Sequence, residues 1–209
     1  GGAGGGGGRQ KGAVWAPSLR GDSILRGASV KICLGHYALA GAVKPGRMFS
    51  GAPQQTVEVT DMRQSRWRLG GTSELAALVA YSFPPPVRYT LRWAKRAVGP
   101  AAAGRRGLYA WEGVPPEGHA ALGMVCTATE EPPAADAMRC VPLPWVRRAE
   151  LPPRKVWDDS GGSGALGSIW VVNSLGLIAV TRGHDPPDGP FYEPVVERMF
   201  ADVEEGGTS

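Results

Sequence analysis

A segment that begins with a tryptophan and ends in paired prolines occurs three times in this chain. The three copies run from Trp67 to Pro84-Pro85, from Trp111 to Pro132-Pro133 and from Trp170 to Pro186-Pro187. Recurrence of one pattern with connecting stretches of variable length is typical of a structural repeat, in which neighbouring copies bury a common core. The chain must therefore fold as copies of one small element rather than as a single irregular domain.

The apolar pieces inside each copy predict β-strands. They are short, rich in Val, Ile, Trp and Tyr, and bounded by Gly or Pro, which is typical of strands. Paired prolines end a strand because neither residue can donate a hydrogen bond to a neighbour. We therefore predict about three short strands in each copy, with Leu75–Val79 among those of the first.

An aromatic strand and a glycine-rich connector precede the second and third copies. The strands are Tyr89–Trp93 and Lys155–Trp157, and the connectors are Gly99–Gly107 and Ser160–Gly167. A strand, a glycine-rich stretch and a second strand in this order predict a hairpin with a long tip.

Packing of the copies gives the fold class. One copy cannot cover both of its faces, so three should surround a shared interior. The sequence predicts an all-β fold with a pseudo-threefold repeat of short antiparallel strands, either β-prism-like or β-trefoil-like. Indole rings bury large apolar areas, and prolines make rigid turns. The predicted structural anchors are Trp67, Trp93, Trp111, Trp157, Trp170, Pro132, Pro133, Pro186 and Pro187.

The chain divides into four stretches. Residues 1–12 are predicted to be a disordered glycine-rich tether, and residues 13–55 a β and loop segment that could be a degenerate repeat. The β-repeat domain should span 56–192, followed at 193–209 by a short helix or a last strand and a disordered tail. With 31 Gly and 19 Pro among 209 residues, longer helices are disfavoured throughout.

Cysteine content and charge exclude several classes of protein. Cys33, Cys126 and Cys140 make an odd number without Cys-x-x-Cys spacing, so neither a disulfide framework nor a zinc site is predicted and a reducing compartment is favoured. Two buried thiols are favoured over a Cys126–Cys140 bridge. The 23 basic and 19 acidic residues are interspersed, which predicts a solvated surface rather than a nucleic-acid site. No apolar run reaches the roughly 20 residues of a transmembrane helix.

Residues with catalytic or ligand-binding chemistry are isolated in the sequence. His36, His119 and His184 have no neighbour at the spacing of a metal site or catalytic triad. Asp158-Asp159 could contribute to a cation loop, but a hairpin turn is favoured because the alternating acidic spacing of calcium loops is absent. Gly161–Gly167 lacks the Lys-Ser/Thr ending of a phosphate-binding loop. We predict no cofactor, no metal and no enzyme activity.

Four motifs resemble a known family. They are Trp157-Asp-Asp-Ser-Gly-Gly-Ser-Gly leading into Ser168-Ile-Trp170, Val114-Pro-Pro-Glu-Gly-His-Ala-Ala-Leu-Gly-Met-Val125, Glu131-Pro-Pro133 and Met138-Arg-Cys-Val141. These motifs are similar to repeats of vacuolar protein sorting-associated proteins. The resemblance is to type 62 and to the β-rich insert of plant and algal type 13, and it covers about residues 62–190.

The resemblance implies a function without catalysis. Longer proteins of this family look like rods that carry lipid between membranes at contact sites, with β-rich modules that dock on organelle adaptors. For this chain the resemblance implies a β-repeat module that acts in intracellular membrane trafficking or at lipid-transfer contact sites. Such a module would bind protein adaptors or a membrane surface. The implied location is intracellular and cytoplasmic, at the periphery of a membrane. The pseudo-threefold pattern leaves an alternative, a carbohydrate-binding or pore-forming β-prism protein.

Overall fold

The computed structural model describes residues 12–17, 29–40, 56–60, 72–96, 107–160 and 165–201. It contains two helices, α1 (Thr72–Ser82) and α2 (Val196–Ala201), and a 3₁₀ turn, Leu143–Trp145. The strands are β1 (Gly12–Trp15), β2 (Ser29–Cys33), β3 (Tyr37–Ala40), β4 (Thr56–Thr60), β5 (Arg88–Lys95), β6 (Leu108–Val114), β7 (His119–Ala120), β8 (Met124–Thr127), β9 (Val141–Pro142), β10 (Val146–Arg148), β11 (Arg154–Asp158), β12 (Gly167–Val171), β13 (Ile178–Arg182) and β14 (Tyr192–Pro194).

The described part is mainly β-structure, so the predicted all-β class is confirmed. The predicted short C-terminal helix is present as α2, and the strand alternative for the same region is represented by β14 just before it. Trp67 and the predicted tether, apart from Gly12, lie outside the described residues. The sheets among the described strands are small and separate, which favours the β-prism-like form of the prediction.

Two three-stranded antiparallel sheets are built on the same plan. One has the order β5-β6-β8 and the other the order β11-β12-β13. Each carries a register shift in its outer strand, between Leu91 and Trp93 in β5 and between Lys155 and Trp157 in β11. A bulge at the same place in two strands is a shared structural feature and not an accident of one strand. The two sheets are therefore copies of one repeat.

Strands β1 and β3 form a two-stranded counterpart of the inner hairpin in these sheets. In each copy a tryptophan of the first hairpin strand pairs with the residue at the equivalent position of the second strand. The pairs are Trp15 with Tyr37, Trp111 with Val125, and Trp170 with Ala179. The segment at residues 13–55 thus supplies a hairpin of the repeat, centred on Trp15.

The residues that lead into β3, β8 and β13 meet where the three copies converge. The backbone N–H of His36 donates to the carbonyl of Met124 at 2.8 Å, and the N–H of Ile178 donates to the carbonyl of His36 at 3.2 Å. A Cβ on Gly123 would lie 2.8 Å from the Leu177 Cβ, a separation that real Cβ contacts do not show. The backbones therefore approach closely here because Gly123 has no side chain.

The predicted strand at Leu75–Val79 is wrong, because this segment belongs to helix α1. Leu75, Val79 and Phe83 are buried in one cluster, and their spacing of four residues places them on one helical face. Alanine and leucine between them favour a helix. The prolines that follow then end it, because Pro84 has no N–H to continue the hydrogen-bond ladder.

The tryptophans contribute to three different core clusters, and Trp145 packs against the one that contains Phe83. Trp93, Ile169 and Trp170 pack together between the two three-stranded sheets, whereas Trp111 packs with Cys33 in another cluster. A large buried ring contacts several neighbours at once. The core is therefore divided among the seams of the repeat and is not a single central cluster.

All three cysteines are free, so the alternative of a Cys126–Cys140 bridge does not hold. Burial raises the pKa of the Cys126 thiol to about 12 and that of Cys140 to about 11. Thiols with such pKa values are almost entirely protonated at neutral pH and are poor nucleophiles. In the described ranges, neither helix has the length and apolar character needed to cross a membrane.

Candidate binding groove

A groove of about 590 Å³ lies between the two three-stranded sheets. Its apolar lining comes from Leu91 of β5, Met124 of β8, Ala179 and Val180 of β13, and Phe191 beyond β13. Met124, Ala179 and Val180 are buried in the core, so they form the base of the groove. We call this feature the seam groove. Its volume is in the range of small-molecule sites in proteins.

One wall of the seam groove is the loop that follows β13. The hydroxyl of Thr181 accepts the indole N–H of Trp170 at 3.1 Å and donates to the carbonyl of Asp185 at 3.2 Å. Pro186 and Pro187 come next and line the groove. Because these prolines have no N–H, the loop cannot extend the sheet. Trp170 thus holds the start of the loop through Thr181, and the prolines keep it away from the strands.

Two arginines lie beside the seam groove, and one of them joins the two sheets. The Nε–H of Arg92 in β5 donates to the Glu112 carboxylate of β6 at 2.6 Å, and the Nε–H of Arg182 in β13 donates to the Arg92 carbonyl at 3.0 Å. The second bond connects residues that are 90 positions apart. Arg92 is therefore held by Glu112 through both Nε and Nη2. Arg182 is held through Nε, and its further guanidinium N–H groups are not engaged by any described residue.

Two carboxylates of the proline loop line the same groove. Asp185 and Asp188 are both exposed, and neither forms an ion pair with a residue that the structure describes. With Arg92, Arg182 and Glu112 they give the groove two positive and three negative groups. Charges of both signs thus face one space, above an apolar base.

A buried carboxylate lies outside the groove, at the tip of the β11–β12 hairpin. Asp159 is 4% exposed, and its Oδ1 accepts the backbone N–H of Gly167 at 2.9 Å and the Nε2–H of His184 at 3.0 Å. Burial opposes ionisation, but these two bonds and the nearby charge of Lys95 hold the pKa of Asp159 below its usual range. Asp159 Oδ2 has no partner among the described residues.

The Asp159–His184 pair has the first two members of a hydrolase triad but not the third. Within the described ranges no hydroxyl forms a hydrogen bond with His184. The hydroxyl of Ser168, the residue after Gly167, instead donates to the Gly183 carbonyl at 2.8 Å. A nucleophile must lie within hydrogen-bond reach of its base. The arrangement instead ties the loop after β13 to the β11–β12 hairpin.

The neighbouring Asp158 forms a turn. Its Oδ1 accepts the backbone N–H of Ser160 at 3.1 Å and also the Ser160 hydroxyl, as aspartates do in tight turns. Its other oxygen accepts from Lys155 at 3.4 Å. Among the residues with described positions, no three His, Cys, Asp or Glu side chains are grouped to hold a metal ion. Of the glycine-rich stretch that follows, residues 161–164 lie outside the described residues.

The comparison with protein families identifies the group of proteins to which these sheets belong. A family model described as vacuolar protein sorting-associated protein 62 matches residues 34–161, more than half of the chain. The chain belongs to this family. The resemblance to type 62 seen in the sequence is thereby confirmed, and the match includes the whole of the β5-β6-β8 sheet together with strand β11.

A solved structure also shares the fold of this vacuolar protein sorting-associated protein 62 family member. The structure of GNIP1Aa from Chromobacterium piscinae matches with a TM-score of 0.57 and 17% sequence identity. The match covers 95% of this chain but 37% of the GNIP1Aa chain, so this chain corresponds to little more than a third of that protein. At this identity the likeness shows the fold alone. No curated protein matches the chain significantly.

The predicted anchors of this family member occupy related positions. Trp111 and Trp170 lie in the central strands, and their indole N–H groups donate to Thr127 Oγ1 at 2.9 Å and Thr181 Oγ1 at 3.1 Å. In the copy centred on Trp15 the register places Leu39 at the position of these threonines. The buried Trp15 indole nitrogen accordingly has no hydrogen-bond partner among the described residues.

The outer-strand tryptophans contact each other. Trp93 is 2% exposed, its indole N–H donates to the Leu166 carbonyl at 3.0 Å, and its ring meets that of Trp157 edge to face with centroids 6.1 Å apart. A Cβ on Gly167 would overlap the Trp93 indole. Trp93 therefore packs against the hairpin tip of the neighbouring copy.

The predicted proline turns have different surroundings. Pro186 and Pro187 line the seam groove, whereas Pro132 is exposed and Pro133 half-buried in the loop after β8. The charged groove residues were not predicted from the sequence. Arg92 and Glu112 look like ordinary strand residues in the sequence, and only the run from Thr181 to Asp188, with charges on both sides of the prolines, carried a signal.

Proposed function

We propose that this chain is a noncatalytic β-repeat module that acts in intracellular membrane trafficking, including lipid-transfer contact sites, by binding a protein adaptor or a membrane surface. Family membership supports a role in membrane trafficking. The matched residues 34–161 include strand β5, which carries Arg92 and forms one side of the seam groove. The observation that carries a binding role is the seam groove itself, which has an apolar base and three charged residues, Arg182, Asp185 and Asp188, that form no ion pair with a described residue.

Binding is favoured over catalysis by how the polar groups are arranged. The carboxylates of Asp185 and Asp188 make no hydrogen bond to a described histidine, and the described histidine that does contact a carboxylate, His184, contacts Asp159. General acid–base catalysis requires a base positioned against the proton it moves. The seam groove instead surrounds an apolar base with charged groups of both signs, which can hold a ligand without reacting with it.

Vesicle flotation of the whole 209-residue chain tests the proposal. We expect the chain to float with vesicles of a membrane-like phospholipid mixture, or to capture an identified adaptor from cell extract. The association should be lost in Arg182→Gln and Asp188→Asn but kept in Arg154→Gln, which removes an exposed charge outside the groove. A chain that neither floats nor captures a partner in a groove-dependent way would contradict the proposal.

A glycan array separates the alternative. Saturable binding of a glycan that the groove variants abolish, without vesicle or adaptor binding, would replace the trafficking role by carbohydrate recognition. Leakage of dye from vesicles on addition of the chain would instead favour the pore-forming alternative. We expect no activity in either assay, because the proposal needs only attachment.

A further inference from the structure

The charges of the seam groove indicate the chemistry of its ligand. We propose that the groove binds a zwitterionic phosphoamine, a phosphate ester that carries an amine, as in phosphoethanolamine or phosphocholine. The phosphate would lie against the guanidinium groups of Arg182 and Arg92, and the amine against the carboxylates of Asp185 and Asp188. This inference rests on the proposed function and names the ligand class of the same groove.

Arg182 and Arg92 form the positive side of the groove. The Nε–H bond to the Arg92 carbonyl holds the Arg182 guanidinium in place, and no described acidic residue pairs with Arg182. The Arg92 side chain is held in turn by Glu112. A guanidinium presents parallel N–H groups that match phosphate oxygens. Because Arg182 is held through Nε and Arg92 through Nε and Nη2, less side-chain freedom is lost when a phosphate binds to their remaining N–H groups.

The negative side excludes a simple anion. Asp185, Asp188 and Glu112 line the same groove as the arginines, so a free phosphate would be repelled by carboxylates that it cannot neutralise. A simple amine meets the reverse problem, because Arg92 and Arg182 repel it. A ligand that carries both charges on one short framework satisfies both groups of side chains. Charge complementarity of this kind sets specificity.

The apolar lining accommodates the rest of the ligand. Phe191 lines the groove, and an aromatic face attracts an ammonium group, quaternary ammonium in particular. Met124 and Val180 form the apolar base, against which the methylene groups between phosphate and amine can pack. The volume of about 590 Å³ is larger than such a headgroup alone, which leaves space for the first atoms of an attached lipid.

Titration of the 209-residue chain with O-phosphoethanolamine, followed by calorimetry or by amide chemical shifts, tests the ligand class. We expect saturable binding that is at least tenfold weaker for inorganic phosphate and for ethanolamine, each of which supplies one charge. Arg182→Gln and Asp188→Asn should each weaken binding about tenfold, since each removes a charged hydrogen-bonding group that faces the ligand. Arg154→Gln should bind as the unmodified chain does.

Three results would overturn the assignment. They are the absence of saturable binding, equal binding of inorganic phosphate, and unchanged affinity in Asp188→Asn. The first removes the site and the second makes it an anion site. The third shows that the amine is not recognised by the loop. All variants change exposed side chains, and unchanged melting temperatures would verify that each variant is folded.

Flotation with vesicles distinguishes a lipid headgroup from a soluble phosphoamine as the ligand. It also tests the groove separately from the proposed membrane role. We expect flotation with phosphatidylethanolamine or phosphatidylcholine vesicles and its loss in Arg182→Gln and Asp188→Asn. Binding of soluble phosphoethanolamine without flotation would support the phosphoamine chemistry but assign the ligand to a soluble source. Flotation that the groove variants leave unchanged would support the proposed membrane role and overturn the groove as its headgroup site.

Discussion

Acidification should destabilise this protein through a single histidine. The ring of His36 lies where the three copies of the repeat converge, and its Nδ1 accepts the backbone N–H of Cys126 at 3.1 Å. Burial lowers the pKa of His36 to about 4, from 6.5 for an ordinary histidine. Protonation would place a charge in the interior and would remove the lone pair that accepts this N–H. The folded state therefore requires the neutral ring.

The sign and size of the effect follow from the difference in pKa. Because the folded state binds the proton more weakly than the unfolded state, stability from His36 is complete above pH 6.5 and is lost as the pH falls towards 4. Each pKa unit corresponds to about 1.4 kcal/mol, so the full loss is about 3 kcal/mol. About 2 kcal/mol of this should already be lost at pH 5.

Urea unfolding at pH 7, 6 and 5 measures the effect. The carboxyls of Asp158, Asp159 and Glu193 have pKa values lowered from 3.8, 3.8 and 4.5, so they titrate below this window and lose their stabilising effect only at lower pH. The matched variant is His36→Asn, whose side-chain oxygen can accept the same N–H without titrating. We expect its stability to be nearly constant between pH 7 and pH 5.

The reasoning would be refuted by equal losses of stability in the unmodified chain and in His36→Asn between pH 7 and pH 5. An independent check is the pKa of His36 measured from its ring proton shifts. A value near 6.5 would show that the ring is solvated and that the loop where the copies converge is open to water.

Three further predictions concern the repeat itself. Thr127→Val and Thr181→Val should each cost about 1 to 3 kcal/mol in urea unfolding, because each leaves a tryptophan indole N–H without its acceptor; markedly unequal costs would argue against equivalent sheets. Gly167→Ala should cost about 3 kcal/mol or more, because its Cβ overlaps the Trp93 indole, and Trp93→Phe in the same chain should recover part of this in a double-mutant cycle. Glu193→Gln removes a buried carboxylate that accepts from a half-exposed arginine, and should cost about 1 to 2 kcal/mol at pH 7. That difference should disappear as the pH falls below 4.5, because the pKa of Glu193 is lowered on folding; a difference that persists there would show that the charge is not the cause.

Local sequence patterns predicted much of the repeat. A strand that begins or ends in tryptophan, bounded by glycine and proline, was sufficient to locate β5, β6, β11 and β12, since β-propensity and chain breakers act over a few residues. The same approach failed at Leu75–Val79, where a short apolar run fits a strand or a buried helical face equally well. Packing against the neighbouring cluster resolved this ambiguity in favour of helix α1.

The copy centred on Trp15 illustrates a different limit. Its hairpin partner begins at Tyr37, and neither the paired prolines nor the threonine of the other copies accompanies it in the sequence. The equivalence is evident from strand register, because register states which residues lie opposite each other even when their identities have changed.

The seam groove depends on tertiary structure. Arg92 and Arg182 come from different sheets and meet only because two copies of the repeat pack side by side. Hydrophobic periodicity determines which face of a strand is buried, but it carries no information on which polar residues of two separate sheets will share one space. The combination of charges around the groove follows from how the two sheets pack against each other.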